Sequence, residues 1–101
     1  MEEEREGMRC RKKTVEVEAF RLTDDPDREA PGWFTQAVID ERIWIDRSIS
    51  DGHIKVYGCT IQTPVGRLQA RLGDYVIQEK DGTIYPCRAK TFGARYERVR
   101  T

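Results

Sequence analysis

Apolar and polar residues alternate along most of the chain, and that period of two predicts strands. In residues 14–22 (TVEVEAFRL), Val15, Val17 and Ala19 alternate with Glu16 and Glu18. The apolar parity then moves to Phe20 and Leu22. A bulge or the end of the strand near Ala19 and Phe20 accounts for that shift. Residues 42–49 place Ile43, Ile45 and Ile49 on one parity and Trp44 on the other. Ser50-Asp51-Gly52-His53 follows, and Asp-Gly between two alternating segments is a strong hairpin signal. Residues 54–63 make the return strand, with Gly58 marking a bulge or a close backbone approach. After a turn at Pro64-Val65-Gly66, residues 67–72 direct Leu68, Ala70 and Leu72 inward and Arg67, Gln69 and Arg71 outward. Gly73-Asp74 breaks the run. Residues 75–78 and 83–87 are two more short strands around a Lys80-Asp81-Gly82 turn, and Pro86 assigns the second to an edge or an exit. Residues 96–99 close the series.

A full helical face appears once. Residues 30–41 (APGWFTQAVIDE) set Trp33, Phe34, Ala37 and Val38 on one side, the spacing of an amphipathic helix. Pro31 suits its first position, where a missing N–H costs nothing. Residues 23–28 (TDDPDR) read as a turn cluster. Residues 90–95 offer one helical turn, with Phe92 four residues from Tyr96. The expected fold is α+β and mainly β. It is a small antiparallel sheet of six to seven short strands, curled toward a partial barrel, with one helix in the N-terminal half.

The length of 101 residues fits one domain. Apolar residues make up 38% and charged residues 36%, so the core is thin. Eighteen basic and eighteen acidic side chains cancel. That balance excludes a strongly basic nucleic-acid coat and an acidic tail. The cancellation is uneven, however. Residues 1–7 carry four glutamates against Arg5, a net of −3, which leaves residues 8–101 at +3. Residues 1–8 are therefore expected to be a disordered or over-called extension, and residues 9–101 the single globular domain. The longest apolar run is far short of the roughly 18–20 residues of a membrane span, so no membrane partner is expected. The acidic start does not fit a secretory signal, and a cytoplasmic location follows.

The basic outer face is the leading chemical feature. Arg67 and Arg71 share one parity of one strand, and residues 9–13, Arg88, Lys90, Arg95, Arg98 and Arg100 are available to join them. Tyr57, Tyr75 and Tyr85 are candidate stacking partners, a combination that suits phosphate-bearing ligands or single strands. Asp74 has a simple use in its turn, bonding its own backbone. Its sharper reading is a ligand-contacting carboxylate at the mouth of the sheet. The ligand-binding candidates are thus Arg67, Arg71, Asp74, Tyr85, Arg88 and Lys90.

The other chemistry is sparse. Cys10, Cys59 and Cys87 are odd in number, no C-x-x-C occurs, and His53 is the only histidine. This fits neither a zinc site nor a disulfide framework. A nucleophilic Cys87 needs a base or a cation to lower its pKa. Arg88 adjoins it, whereas His53 sits in the hairpin tip. No phosphate-binding loop, dinucleotide fingerprint, nucleophile elbow or zinc-protease motif is present. No cofactor, metal or catalytic residue is expected.

Two segments resemble a known family. Residues 11–20 are similar to an R-K-K-P-V-x-V-E-A opening. Gly73-Asp74-Tyr75-Val76-Ile77, then Gly82-Thr83-Ile84-Tyr85-Pro86-Cys87, then Phe92 and Tyr96-Glu97 resemble the motif of small phage and prophage proteins of the PGDYG type. The resemblance covers about residues 9–99. The chain departs from the pattern at Thr14, at Leu72, and at Ala89-Lys90-Thr91. In this motif Gly73, Asp74, Tyr75, Gly82, Tyr85, Pro86, Cys87, Phe92 and Tyr96 are structural residues. The resemblance implies a mobile-element origin and a cytoplasmic accessory role in a bacterial host, with no transferable catalytic activity. The expected function is a non-catalytic accessory domain that binds another protein or a second copy of itself as a homodimer. The alternatives are binding of a nucleotide or nucleic acid through the basic face and, last, a cysteine-dependent enzyme.

Overall fold

The computed structural model describes residues 16–97. Six strands run through them: β1 (Glu18–Arg21), β2 (Ile43–Ser50), β3 (His53–Thr63), β4 (Gly66–Arg71), β5 (Tyr75–Gln78) and β6 (Ile84–Cys87). Three helices accompany them: α1 (Pro26–Glu29) and α2 (Gly32–Ile39) between β1 and β2, and α3 (Ala89–Arg95) after β6. Residues 14 and 15 of the first expected strand, and residues 98 and 99 of the last, lie outside the described residues. Tyr96 and Glu97 themselves are not in a strand.

The strands form two separate antiparallel sheets, ordered β1-β5-β6 and β2-β3-β4. This corrects the expectation of a single curled sheet or partial barrel. The β2-β3-β4 sheet is a meander that satisfies its ladder with near neighbours. β1 instead crosses the chain to pair with β5, from Glu18 opposite Gln78 to Arg21 opposite Tyr75. The junction is a tight turn after β4, where Gly73 holds φ at 91°. Only glycine adopts that geometry without strain. There Leu22 donates its N–H to the Asp74 carbonyl at 2.8 Å and accepts from the Gly73 N–H at 2.9 Å. These two bonds fasten the start of β5 beside the end of β1. No ladder joins β4 to β6, so neither sheet closes.

The two sheets share a core. Phe20, Leu22, Val76 and Ile84 from one meet Ile43, Cys59, Ile61 and Ala70 from the other. Phe34 and Ala37 of α2 complete the cluster. The Phe34 ring meets Phe20 edge-on with centroids 5.0 Å apart. Ala70 alone is fully covered on β4, whereas Leu68 and Leu72, both expected inward, remain partly exposed. Trp33 packs against the cluster as expected. Trp44 lies on the outer face of its sheet, opposite Thr60, which on its other side pairs with Gln69.

Beside α2, the helical turn expected at residues 90–95 is the helix α3, and a further one, α1, stands where a turn was expected. The TDDPDR cluster is the helical turn α1, with Pro26 in its first turn. Pro31 caps α2 rather than opening it. α2 stops where Glu41 takes a left-handed φ of 61°. The Arg42 N–H then reaches the Ala37 carbonyl at 2.9 Å and the Glu41 N–H reaches Val38 at 3.1 Å. That is the Schellman stop, here without the usual glycine.

Candidate functional site

β3 is much longer than β4. β4 pairs with Gly58 to Thr63 only, so the distal part of β3 continues with β2 as a two-stranded ribbon. The ladder shifts register between Asp46 and Arg47, with Asp46 opposite Gly58 and Arg47 opposite Val56. Tyr57 is the extra residue of this bulge. The close-approach reading of Gly58 also holds, because a Cβ there would stand 2.5 Å from the Ala70 carbonyl oxygen. At the tip, Asp51 and Gly52 take φ of 52° and 77°, the signature of a type I′ turn.

The ribbon is exposed on both faces apart from Val56, which is half-buried. Ile49 and Ile54 lie directly opposite one another and are 76% and 69% exposed. Tyr57 is exposed beside them. Sequence parity placed Ile49 inward, yet no second layer reaches the ribbon. The signal for this was available: turns at residues 64–66 and at Gly73 limit β4 to about half the length of β3.

The basic candidates divide into separate groups. Arg71, Asp74 and Arg88 line one basin of about 240 Å³ with Gln69 and Pro86, at the seam between β4 and β6. Asp74 accepts the Arg71 N–H on Oδ2 at 3.0 Å, a turn contact made three residues back rather than two residues on. Among the described residues neither Arg71 nor Arg88 has an ion-pair partner. Arg67 shares the outer face with Arg71, but its guanidinium lies over the Trp44 ring, 4.7 Å from the centroid. A contact of this kind holds both side chains flat on the sheet.

Tyr85 and Lys90 lie elsewhere. Tyr85 pairs with Ile77, on the face of the β1-β5-β6 sheet turned away from the shared core. Its hydroxyl donates to Glu79 Oε2 at 3.2 Å and lies 2.8 Å from the Tyr96 hydroxyl. Burial, with Tyr96 and Glu79 beside it, pushes the Tyr85 phenol above its ordinary pKa. Tyr75 stacks on Phe92 at 3.7 Å between centroids, and Phe92 on Tyr96 at 5.1 Å. The motif aromatics thus clamp α3 onto this second face. Lys90 is exposed on α3.

The cysteines are placed for packing. Burial pushes the Cys59 thiol up to about 12. Cys87 is buried as well, and its thiol is also raised, by burial first, against the opposing pull of Arg95. Arg95 is therefore the cation that acts on Cys87, in place of the adjacent Arg88. A raised pKa works against the thiolate a nucleophile requires. Among the described residues no three His, Cys, Asp or Glu side chains are grouped to hold a metal. No helix there is long and apolar enough to cross a membrane. Compared with known proteins, the chain matches no family model, no curated protein and no solved structure.

Proposed function

We propose that this protein is a non-catalytic binding module that self-associates through the β2–β3 ribbon. The observation that carries the reading is the exposed Ile49–Ile54 pair on two strands that lack a third. An isolated two-stranded ribbon is marginally stable in water. Large apolar side chains at its surface gain when a partner covers them. A free strand edge also offers unpaired backbone groups to an incoming strand. The motif resemblance to small phage proteins supports an accessory setting for such a module.

Sedimentation or light scattering tests this. The wild-type mass is expected to rise from 11.8 kDa toward twice that value as the concentration reaches the high micromolar range. Ile49→Asp is expected to keep the protein monomeric while its circular dichroism stays unchanged. A strictly monomeric wild type over that range ends the reading.

A second reading is favoured by the seam basin. Arg71 and Arg88 face one space with the Gln69 amide, and Asp74 reduces the local charge to a net of one positive. Such a site suits a singly charged phosphodiester better than a dianionic phosphate. The neighbouring Trp44 and Arg67 offer a flat surface for a base. Labelled oligothymidylate is expected to bind at low salt. One neutralised phosphate would give a log–log salt slope of roughly −0.7 for a single strand. The Arg71→Ala, Arg88→Ala double variant is expected to bind at least about tenfold more weakly, the loss of about 1.4 kcal/mol. Unchanged binding by that variant removes the basin from consideration.

A further inference from the structure

The ribbon reading leaves open which edge is used and in what register. Resting on that reading, we infer that β2 pairs antiparallel with β2 of a second copy, about a two-fold axis through Ile49. Three observations converge on this register.

The first is backbone direction. The two-residue turn closes on Ser50 and His53, and in such a hairpin the closing pair exchanges hydrogen bonds across the ribbon. Alternation then turns the N–H and C=O of Ile49, and of Arg47 two residues before, toward the free edge of β2. Among the described residues no strand pairs along that edge. A residue on the two-fold of an antiparallel pair can exchange both of its bonds with its own copy only if it faces outward in this way. Ile49 satisfies that condition, and Ser48 and Ser50 do not.

The second is charge. Residues 47–51 read Arg-Ser-Ile-Ser-Asp. Laid antiparallel on itself about Ile49, the segment sets Arg47 opposite Asp51 of the copy, twice, and Ser48 opposite Ser50. No like charges meet. Arg47 is already held near this edge by Asp27 of α1, with Nη2 3.2 Å from Oδ2. That exposed pair is weak, and it leaves the guanidinium free to reach a second carboxylate.

The third is apolar continuity. Residues directly opposite one another in a sheet share a face. Ile54 and Ile49 of one copy would therefore line up with Ile49 and Ile54 of the other in one row across four strands. Each is largely exposed in the single chain. The pairing sets the two Ile49 side chains side by side, each flanked by its own Ile54, and supplies the third and fourth strands that the ribbon lacks. It is isologous and closes on itself, as two-fold dimers do.

Cysteine pairs read the register. In a Cys10→Ser background, Ser48→Cys and Ser50→Cys chains are prepared separately and as an equal mixture, then oxidised mildly. Cys59 and Cys87 are buried and do not interfere. In the inferred register, position 48 faces position 50 of the copy. Position 48 lies from its own copy at a diagonal of about 7–8 Å, beyond disulfide reach. The mixture is expected to give a disulfide-linked dimer, and each variant alone is expected to stay unlinked. A dimer by sedimentation with self-linking Ser48→Cys, self-linking Ser50→Cys or no linkage at all overturns the register and leaves ribbon association standing. A wild type that remains monomeric overturns both.

Discussion

Phe34→Ala is expected to lower unfolding free energy by about 3–5 kcal/mol, the range for truncating a buried phenylalanine. Phe34 is 1% exposed and is the largest of the fully buried side chains. It joins two elements: α2 carries it, and its ring meets Phe20 of β1 edge-on, as it does Trp33 of its own helix. Domains of this size have only about 5–15 kcal/mol in total. The loss is therefore a large fraction of the total, between about a fifth and all of it. Urea denaturation followed by circular dichroism measures the change. Phe34→Leu fills most of the same space and should cost distinctly less. A loss below about 1 kcal/mol for Phe34→Ala would mean that α2 is not anchored where it is described.

Gly58→Ala is the second large effect. The added methyl would stand 2.5 Å from the carbonyl oxygen of Ala70, a backbone atom one pair from the end of the β3–β4 ladder. Relief requires β3 and β4 to part or the bulge to move. Overpacking of this kind costs about 1–3 kcal/mol. The same urea measurement applies, and amide exchange at Thr60 and Gln69 should rise with it. Because Gly58 stands where the ribbon leaves the three-stranded part, the variant also re-aims Ile49 and Ile54. Weaker self-association is expected even where the protein remains folded. A neutral Gly58→Ala would show that the strands approach less closely than described.

The sequence was most legible where structure is local. The Asp51-Gly52 hairpin, the close approach at Gly58 and the turn at Gly73-Asp74 each follow from one or two residues with narrow backbone preferences. Strand positions followed from alternation. The division into two sheets did not, because parity states which face a side chain takes and not which edge a strand joins. β1 finds its partner beyond fifty intervening residues, through the Leu22 bonds to the Gly73-Asp74 turn. The site was legible only in part for the same reason. Arg71 and Asp74 are near neighbours in sequence, but their meeting with Arg88 depends on β6 lying beside β4. Tyr85, expected as a stacking partner on the basic face, belongs to the opposite side of its sheet with Ile77. One step along a strand is enough to turn a side chain to the opposite face. Ile49 was misplaced because parity cannot report where the opposing layer ends.

The meander β2-β3-β4 draws every one of its ladder contacts from residues 43–71, whereas β1 must wait for β5. Contacts between near neighbours form faster than those that close a long loop. A growing chain released as far as Arg71 thus already owns the whole ribbon, while its other sheet lacks both β5 and β6. On the pairing inferred for Ile49, the edge that meets its copy belongs to the sheet whose ladders close first, and the dimer would be a partner in folding rather than its sequel.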